Sequence, residues 1–150
     1  MPLWLAAKPL MLASKSAARR VVLEAAGIPI EIEPADIDER GIEARASAQG
    51  PGMVAALLAR EKARAVSAKH PDRMVLGADQ TLALGQRRFS KAPNRAVARE
   101  QLAALRGTTH ALHSAAAVMR GGAALFEHVD AAHLTMRNFS DAYLESYLDA

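Results

Sequence analysis

Two hydroxyls and three cations fall within nine residues at Leu12 to Arg20, reading LASKSAARR. They stand where a short apolar run, Pro9 to Leu12, gives way to the helical pattern of Val21, Val22, Leu23, Ala25 and Ala26, which Gly27 ends. Strand, loop and helix in that order present unpaired N–H groups and a positive dipole end to solvent. Ser14 or Ser16 can cap the helix, and Lys15, Arg19 and Arg20 add full positive charge. This is the chemistry of a phosphate site, and equally that of an ordinary capped helix with surface arginines.

A second chemical group lies at Asp79. Met74, Val75 and Leu76 predict a short buried strand ending at Gly77, Ala78 and Asp79. Ligands of open α/β sheets collect beyond the carboxyl ends of strands, so an acid there is either catalytic or a turn former. Glu61 and Lys62 sit at or beside the apolar stripe of a long helix that Gly50, Pro51 and Gly52 introduce and that Val54, Leu57, Leu58 and Ala65 mark. They read as a solvated pair with a snorkelling lysine stem, or as the helix edge of a cleft.

The remaining elements must position these groups. Ile28 to Glu33 alternates as a strand ended by Pro34, and an acidic loop with Asp36, Asp38 and Glu39 follows. Thr81 to Leu84 predicts a returning strand, with Gly85 turning towards Arg87 and Arg88 and Lys91 on the loop beyond. Asn94 caps a helix through Val97, Leu102 and Leu105, which Gly107 stops. Thr109 to Met119 and Ala124 to Met136 predict two strands turning at Gly121 and Gly122, and Ser140 and Asp141 open a last helix. His110, His113, His128 and His133 fall in that strand pair at spacings that match no metal motif, so they are expected to be exposed or hydrogen-bonded.

Composition narrows the classes. With 150 residues, 51% of them hydrophobic, the chain has material for one core, and a single domain over residues 1–150 is expected. A net charge of +3 allows an anionic ligand. The basic residues are dispersed and aromatics make up only 4%, so neither a basic stripe nor a stacking platform supports a nucleic-acid partner. The lack of cysteine excludes a disulfide scaffold and a thiolate metal site. The apolar start, broken by Lys8 and Pro9, is a poor secretion signal and too short to span a bilayer, so no membrane partner and a cytoplasmic location are expected.

Taken together, LASKSAARR, PADIDE at Pro34 to Glu39, AREKA at Ala59 to Ala63, LGADQT at Leu76 to Thr81 and SKAPN at Ser90 to Asn94 resemble the Maf family of nucleotide pyrophosphatases. The resemblance runs from Leu10 to about Ala150. It implies an α/β fold of the Maf/ITPase-like kind, an elongated mixed sheet flanked by helices with a central cleft, often as a homodimer. It also implies hydrolysis of nucleoside triphosphates to monophosphate and pyrophosphate with a divalent metal, Mg²⁺ or Mn²⁺.

Carried over by motif, Asp79 is implied as the catalytic proton acceptor, and Glu39 as a carboxylate of the same cleft that holds the metal with it. Ser14, Arg19, Lys62 and Lys91 are implied to bind substrate phosphates. Many members have Ser-Pro-Arg-Arg where this chain reads Ser16, Ala17, Ala18, Arg19, Arg20. That register, with Gln80 after Asp79, resembles the branch acting on 7-methyl-GTP more than the branch preferring dTTP and UTP, and it makes Ala18 and Gln80 the specificity positions. Family members also continue into further strands and a Gly-rich motif that helps close the base pocket, so this chain is expected to lack the usual C-terminal portion. A non-catalytic nucleotide-binding regulator of septum formation stays open as the alternative.

Overall fold

A computed structural model describes residues 3–150 of the chain. In chain order the elements are β1 (Leu10–Leu12), α1 (Ala17–Ala25), β2 (Ile30–Ile32), α2 (Glu39–Ala46), a 3-10 turn (Ser47–Gln49), α3 (Pro51–Lys69), β3 (Val75–Leu84), β4 (Arg87–Phe89), α4 (Arg95–Leu105), β5 (Thr109–Arg120), β6 (Ala123–Thr135) and α5 (Asp141–Asp149). They form a mixed six-stranded sheet in the order β2-β1-β3-β5-β6, with β4 also paired to β3, and helices flank it. The parallel pairs are β1 with β2 and with β3; all other pairs are antiparallel.

Helix α3 is the element against which the sheet is built. Its buried positions Ala55, Leu58, Ala59, Lys62, Ala63 and Val66 recur at helical spacing. Ala55, Ala59 and Ala63 form a row of small side chains four residues apart, and they pack on Met11, Ala13, Val75, Ala115, Ala117 and Met119 of the sheet. Small residues on the helix and alternating apolar residues on the strands allow a close approach of the two layers.

Three sequence expectations are corrected. The acidic loop contains α2: Asp38 caps it by accepting from the N–H of Gly41 at 3.1 Å, and Ile42 and Ala46 fix it to Val54 and Leu58 of α3. Met74 to Leu76 and Thr81 to Leu84 belong to one ten-residue strand, so Asp79 lies mid-strand and not at a strand end. Gly77 within this strand adopts no positive φ, and its lack of a Cβ lets α3 approach. Finally, His110 is buried and its Nδ1 meets no hydrogen-bond partner, whereas an exposed or hydrogen-bonded histidine was expected.

Candidate functional site

The pairing of β3 leaves one stretch of its edge open. β5 runs along one edge of β3 from Val75 to Ala83. The opposite edge is shared: β1 pairs only at Val75 and Leu76, and β4 only at Leu82 to Leu84. Between them, Gly77 to Thr81 have no strand alongside, and Asp79 is the central residue of that stretch.

Both cationic loops lead into the opening. β1 is parallel to β3 and ends beside Leu76, so the chain leaving Ala13, whose N–H donates to the Leu76 carbonyl at 2.9 Å, carries Ser14 to Arg19 in from one side. β4 is antiparallel to β3 with Phe89 opposite Leu82, so Ser90 and Lys91 run back towards Thr81 and Gln80 from the other side. A ligand at the opening is thus flanked by both loops, as at a strand-order switch point in an α/β sheet.

Ser16 is the cap of α1, accepting from the N–H of Arg19 at 3.3 Å. Ser14 is buried and performs a different task. Its hydroxyl accepts from the Ser16 N–H and from the Arg19 guanidinium, both at 3.1 Å, which turns the Arg19 side chain back onto the loop. The free N–H groups of the first turn and this guanidinium therefore share one small region, a favourable setting for an anion.

Within the sheet, successive side chains of β3 alternate in direction. A Cβ on Gly77 would meet Ala59 and Ala63 of α3, so the odd positions, Asp79 and Thr81 among them, face that helix. Lys62 extends from α3 to meet Asp79: its Nζ stands 2.9 Å from Asp79 Oδ1 and 3.2 Å from Glu39 Oε1. The Lys62 and Asp79 side chains are 10% and 11% exposed and Glu39 is 50% exposed, so one end of the group is dry and the other reaches solvent. Thr81 Oγ1 donates to the second Asp79 oxygen at 3.4 Å. Sequence reasoning had not singled out Thr81; a β-branched hydroxyl two residues from an acid on one strand face is the signal that would have found it.

The sequence-predicted residues thus divide into three sets. Asp79, Glu39 and Lys62 are in direct contact. Ser14 and Arg19 are tied to each other at the near end of the open edge, and exposed Lys91 lies on the loop at its far end. Ala18 is exposed on α1, and Gln80 points to the face of the sheet opposite Asp79, where its Nε2 donates to Ser114 Oγ at 3.0 Å. Glu61, the neighbour of Lys62, faces outward to Arg64 at 2.9 Å.

Two carboxylates against one ammonium leave an excess negative charge, which suits a cation. Among the described residues no group of three or more His, Cys, Asp or Glu is gathered to hold a metal. Glu39 and Asp79 by themselves fit Mg²⁺ or Mn²⁺, because a hard cation of this kind uses one or two carboxylates and takes its other oxygens from water and substrate phosphates. A cavity of about 580 Å³ lies elsewhere, lined by Leu102, Met136, Phe139, Tyr143, Leu144 and Tyr147 among others, and it contains no carboxylate or lysine. The contact of carboxylates with lysine is at the open edge of β3.

Fold and site together define an α/β protein with a cationic loop beside a carboxylate–lysine cluster that is dry at Lys62 and Asp79 and open at Glu39. The chain belongs to the Maf family: the family model described as Maf-like protein matches residues 9–150. It is 56% identical over 149 residues to the nucleoside triphosphate pyrophosphatase of Rhodopseudomonas palustris (strain CGA009), covering 99% of this chain and 74% of that protein. It is 47% identical over 141 residues to the 7-methyl-GTP pyrophosphatase of Rhizobium etli, covering 93% of this chain and 71% of the relative. Among solved structures, a HAM1 protein from Coxiella burnetii aligns over 83% of this chain and 70% of its own, with 18% identity and a TM-score of 0.48.

Proposed function

We propose that this chain hydrolyses nucleoside triphosphates to the nucleoside monophosphate and pyrophosphate at the open edge of β3. The observation that carries the reading is the contact of Lys62 with both Asp79 and Glu39, at an edge that the Ser14–Arg19 and Lys91 loops enter from its two ends. The relatives named as nucleoside triphosphate pyrophosphatases support it.

Water attacks the α-phosphorus. A bond forms from the water oxygen to phosphorus while the bond to the bridging oxygen of the β-phosphate breaks. Asp79 takes the proton of the attacking water; Thr81 donates to one of its oxygens, and Lys62 holds the other until the triphosphate arrives. Arg19 and Lys91, from the two ends of the edge, neutralise the charge that builds on the departing pyrophosphate. Ser14 keeps the Arg19 fork aimed. A divalent cation held by Glu39 and Asp79 would supply Lewis-acid polarisation of the phosphoryl oxygens.

The finer assignment is a modified purine triphosphate such as 7-methyl-GTP, supported by the relative of that name and by the register of the loop before Arg19 and Arg20 with Gln80 after Asp79. Pyrimidine triphosphates, dTTP and UTP, are the second substrate class. Cytoplasmic location and pairing into a homodimer belong to the same proposal; no helix among the described residues is long and apolar enough to cross a membrane. Pyrophosphate release measured over a panel of triphosphates with Mg²⁺ or Mn²⁺ tests both levels: release from at least one is expected, and the ratio of kcat/KM values assigns the base. Tight binding of triphosphates with no release from any of them would overturn hydrolysis and leave a nucleotide-binding module.

A further inference from the structure

Lys62 occupies the space between Glu39 and Asp79, the two carboxylates that would hold a divalent cation. Its ammonium is in contact with an oxygen of each carboxylate, at 3.2 and 2.9 Å, and nine-tenths of its side chain is withdrawn from solvent. The two carboxylates are the charged donors available, since no third His, Cys, Asp or Glu joins them among the described residues. A divalent ion arriving alone would find two ligands, both already paired, and a positive charge between them.

We infer that Lys62 is a resident competitor for the metal: without nucleotide its ammonium keeps the divalent cation out, and the metal enters together with the triphosphate. This rests on the reading of Glu39 and Asp79 as the metal-holding pair. The triphosphate changes the balance in two ways. Its oxygens supply the ligands that two carboxylates cannot, and its negative charge gives the ammonium another partner.

The choice of lysine suits that exchange. An ammonium is a compact charge on a flexible four-carbon stem and can turn from carboxylate to phosphate, whereas a guanidinium fork is committed to its geometry. Arg19, the guanidinium of this site, is fixed in that manner by Ser14. Lys62 is also the only cation in contact with either member of the pair among the described residues. Metal binding thereby becomes conditional on substrate, and the carboxylates stay paired between turnovers.

The test is Mn²⁺ binding without turnover, followed by the electron-spin signal of free Mn²⁺ and by calorimetry. It uses the full chain, Lys62→Met, Lys62→Gln, and Glu39→Gln in each background, with and without an α,β-methylene nucleoside triphosphate. With Mn²⁺ alone, the Lys62→Met chain is expected to bind at least about tenfold more tightly than the unmodified chain, because the competing charge is gone. The added Glu39→Gln change is expected to remove that gain. The nucleotide analogue is expected to raise Mn²⁺ affinity far more in the unmodified chain than in Lys62→Met. Should Lys62→Met fail to fold, judged by circular dichroism, Lys62→Gln keeps a donor for one carboxylate and takes over the comparison. Equal Mn²⁺ affinity in the unmodified and Lys62-substituted chains, lost in both with Glu39→Gln, overturns the competition while leaving the metal site in place. Binding indifferent to Glu39→Gln in every state overturns the metal reading as well.

Discussion

Gly77 and Ala59 approach so closely that a Cβ built on Gly77 would stand 2.0 Å from the Ala59 carbonyl oxygen and 2.6 Å from the Ala63 nitrogen. Both neighbours are helix backbone and cannot rotate away. Lys62 lies between Ala59 and Ala63 in sequence, and Asp79 lies two residues beyond Gly77 on the same strand face, so the spacing of α3 from β3 sets the reach of Lys62 to Asp79.

Gly77→Ala therefore forces the helix outward. Overpacking of this kind costs about 1–3 kcal/mol, and a backbone clash lies at or above the upper end. The expected outcome is a lower thermal midpoint together with loss of triphosphate turnover, read by calorimetry and a pyrophosphate assay. Unchanged stability in Gly77→Ala would show that the two layers are not in this contact.

Arg19→Ala should act on substrate binding more than on folding, since Arg19 is part-exposed at the first turn of α1. A hydrogen bond to a charged group contributes about 1.5–3 kcal/mol, or roughly 10- to 150-fold in kcat/KM. Ser14→Ala should produce a smaller loss in the same direction by freeing the guanidinium, and Ser14→Ala in an Arg19→Ala background should add little. A double-mutant cycle on kcat/KM measures this coupling; full additivity would separate the two residues.

Thr81→Val keeps the shape of a side chain that is 9% exposed and removes the hydroxyl that donates to Asp79. A fall in kcat with little change in KM is expected, with recovery in Thr81→Ser. A matching rise in KM with unchanged kcat would place Thr81 in substrate binding instead.

The Arg60–Glu127 pair joins α3 to β6 through two hydrogen bonds of 2.5 and 2.8 Å, and the Arg60 guanidinium holds the Glu127 carboxyl below its ordinary value. A carboxylate lowered in the folded state stabilises it above the unfolded pKa, and that contribution is lost as the pH falls through the folded pKa. The pair is partly exposed and therefore screened, so Glu127→Gln should cost no more than about 1 kcal/mol at neutral pH. Urea titrations should show the difference fading as the pH drops below the ordinary glutamate range, and a difference that grows in acid would contradict the pairing.

Much of this architecture is legible in the chain. The helical spacing in α3, the Asn94 and Ser140 caps, and the Gly121–Gly122 turn predict elements where they occur, because local hydrogen bonding and periodicity decide them. α2 is missed because only Ile42 and Ala46 of its eight residues are buried, too few to set a periodicity. The continuity of β3 is hidden by Gly77, whose reason lies in a helix that packs from elsewhere in the sequence. For the site, residue types point to an anion loop and an acid. The burial of Lys62 depends on α2, α3 and β3 meeting, so spacing alone leaves it open between a solvated pair and a cleft edge.

The central claim is that Asp79, oriented by Thr81 and paired with Lys62 between turnovers, is the proton acceptor in triphosphate hydrolysis. Asp79→Asn tests it most directly, because Lys62 keeps Glu39 as a partner and the variant should fold nearly normally. Measured as single-turnover pyrophosphate release with Mg²⁺ or Mn²⁺, the rate is predicted to fall roughly 100- to 10,000-fold with the melting transition little changed. Release at the unmodified rate from a folded Asp79→Asn chain would contradict the account.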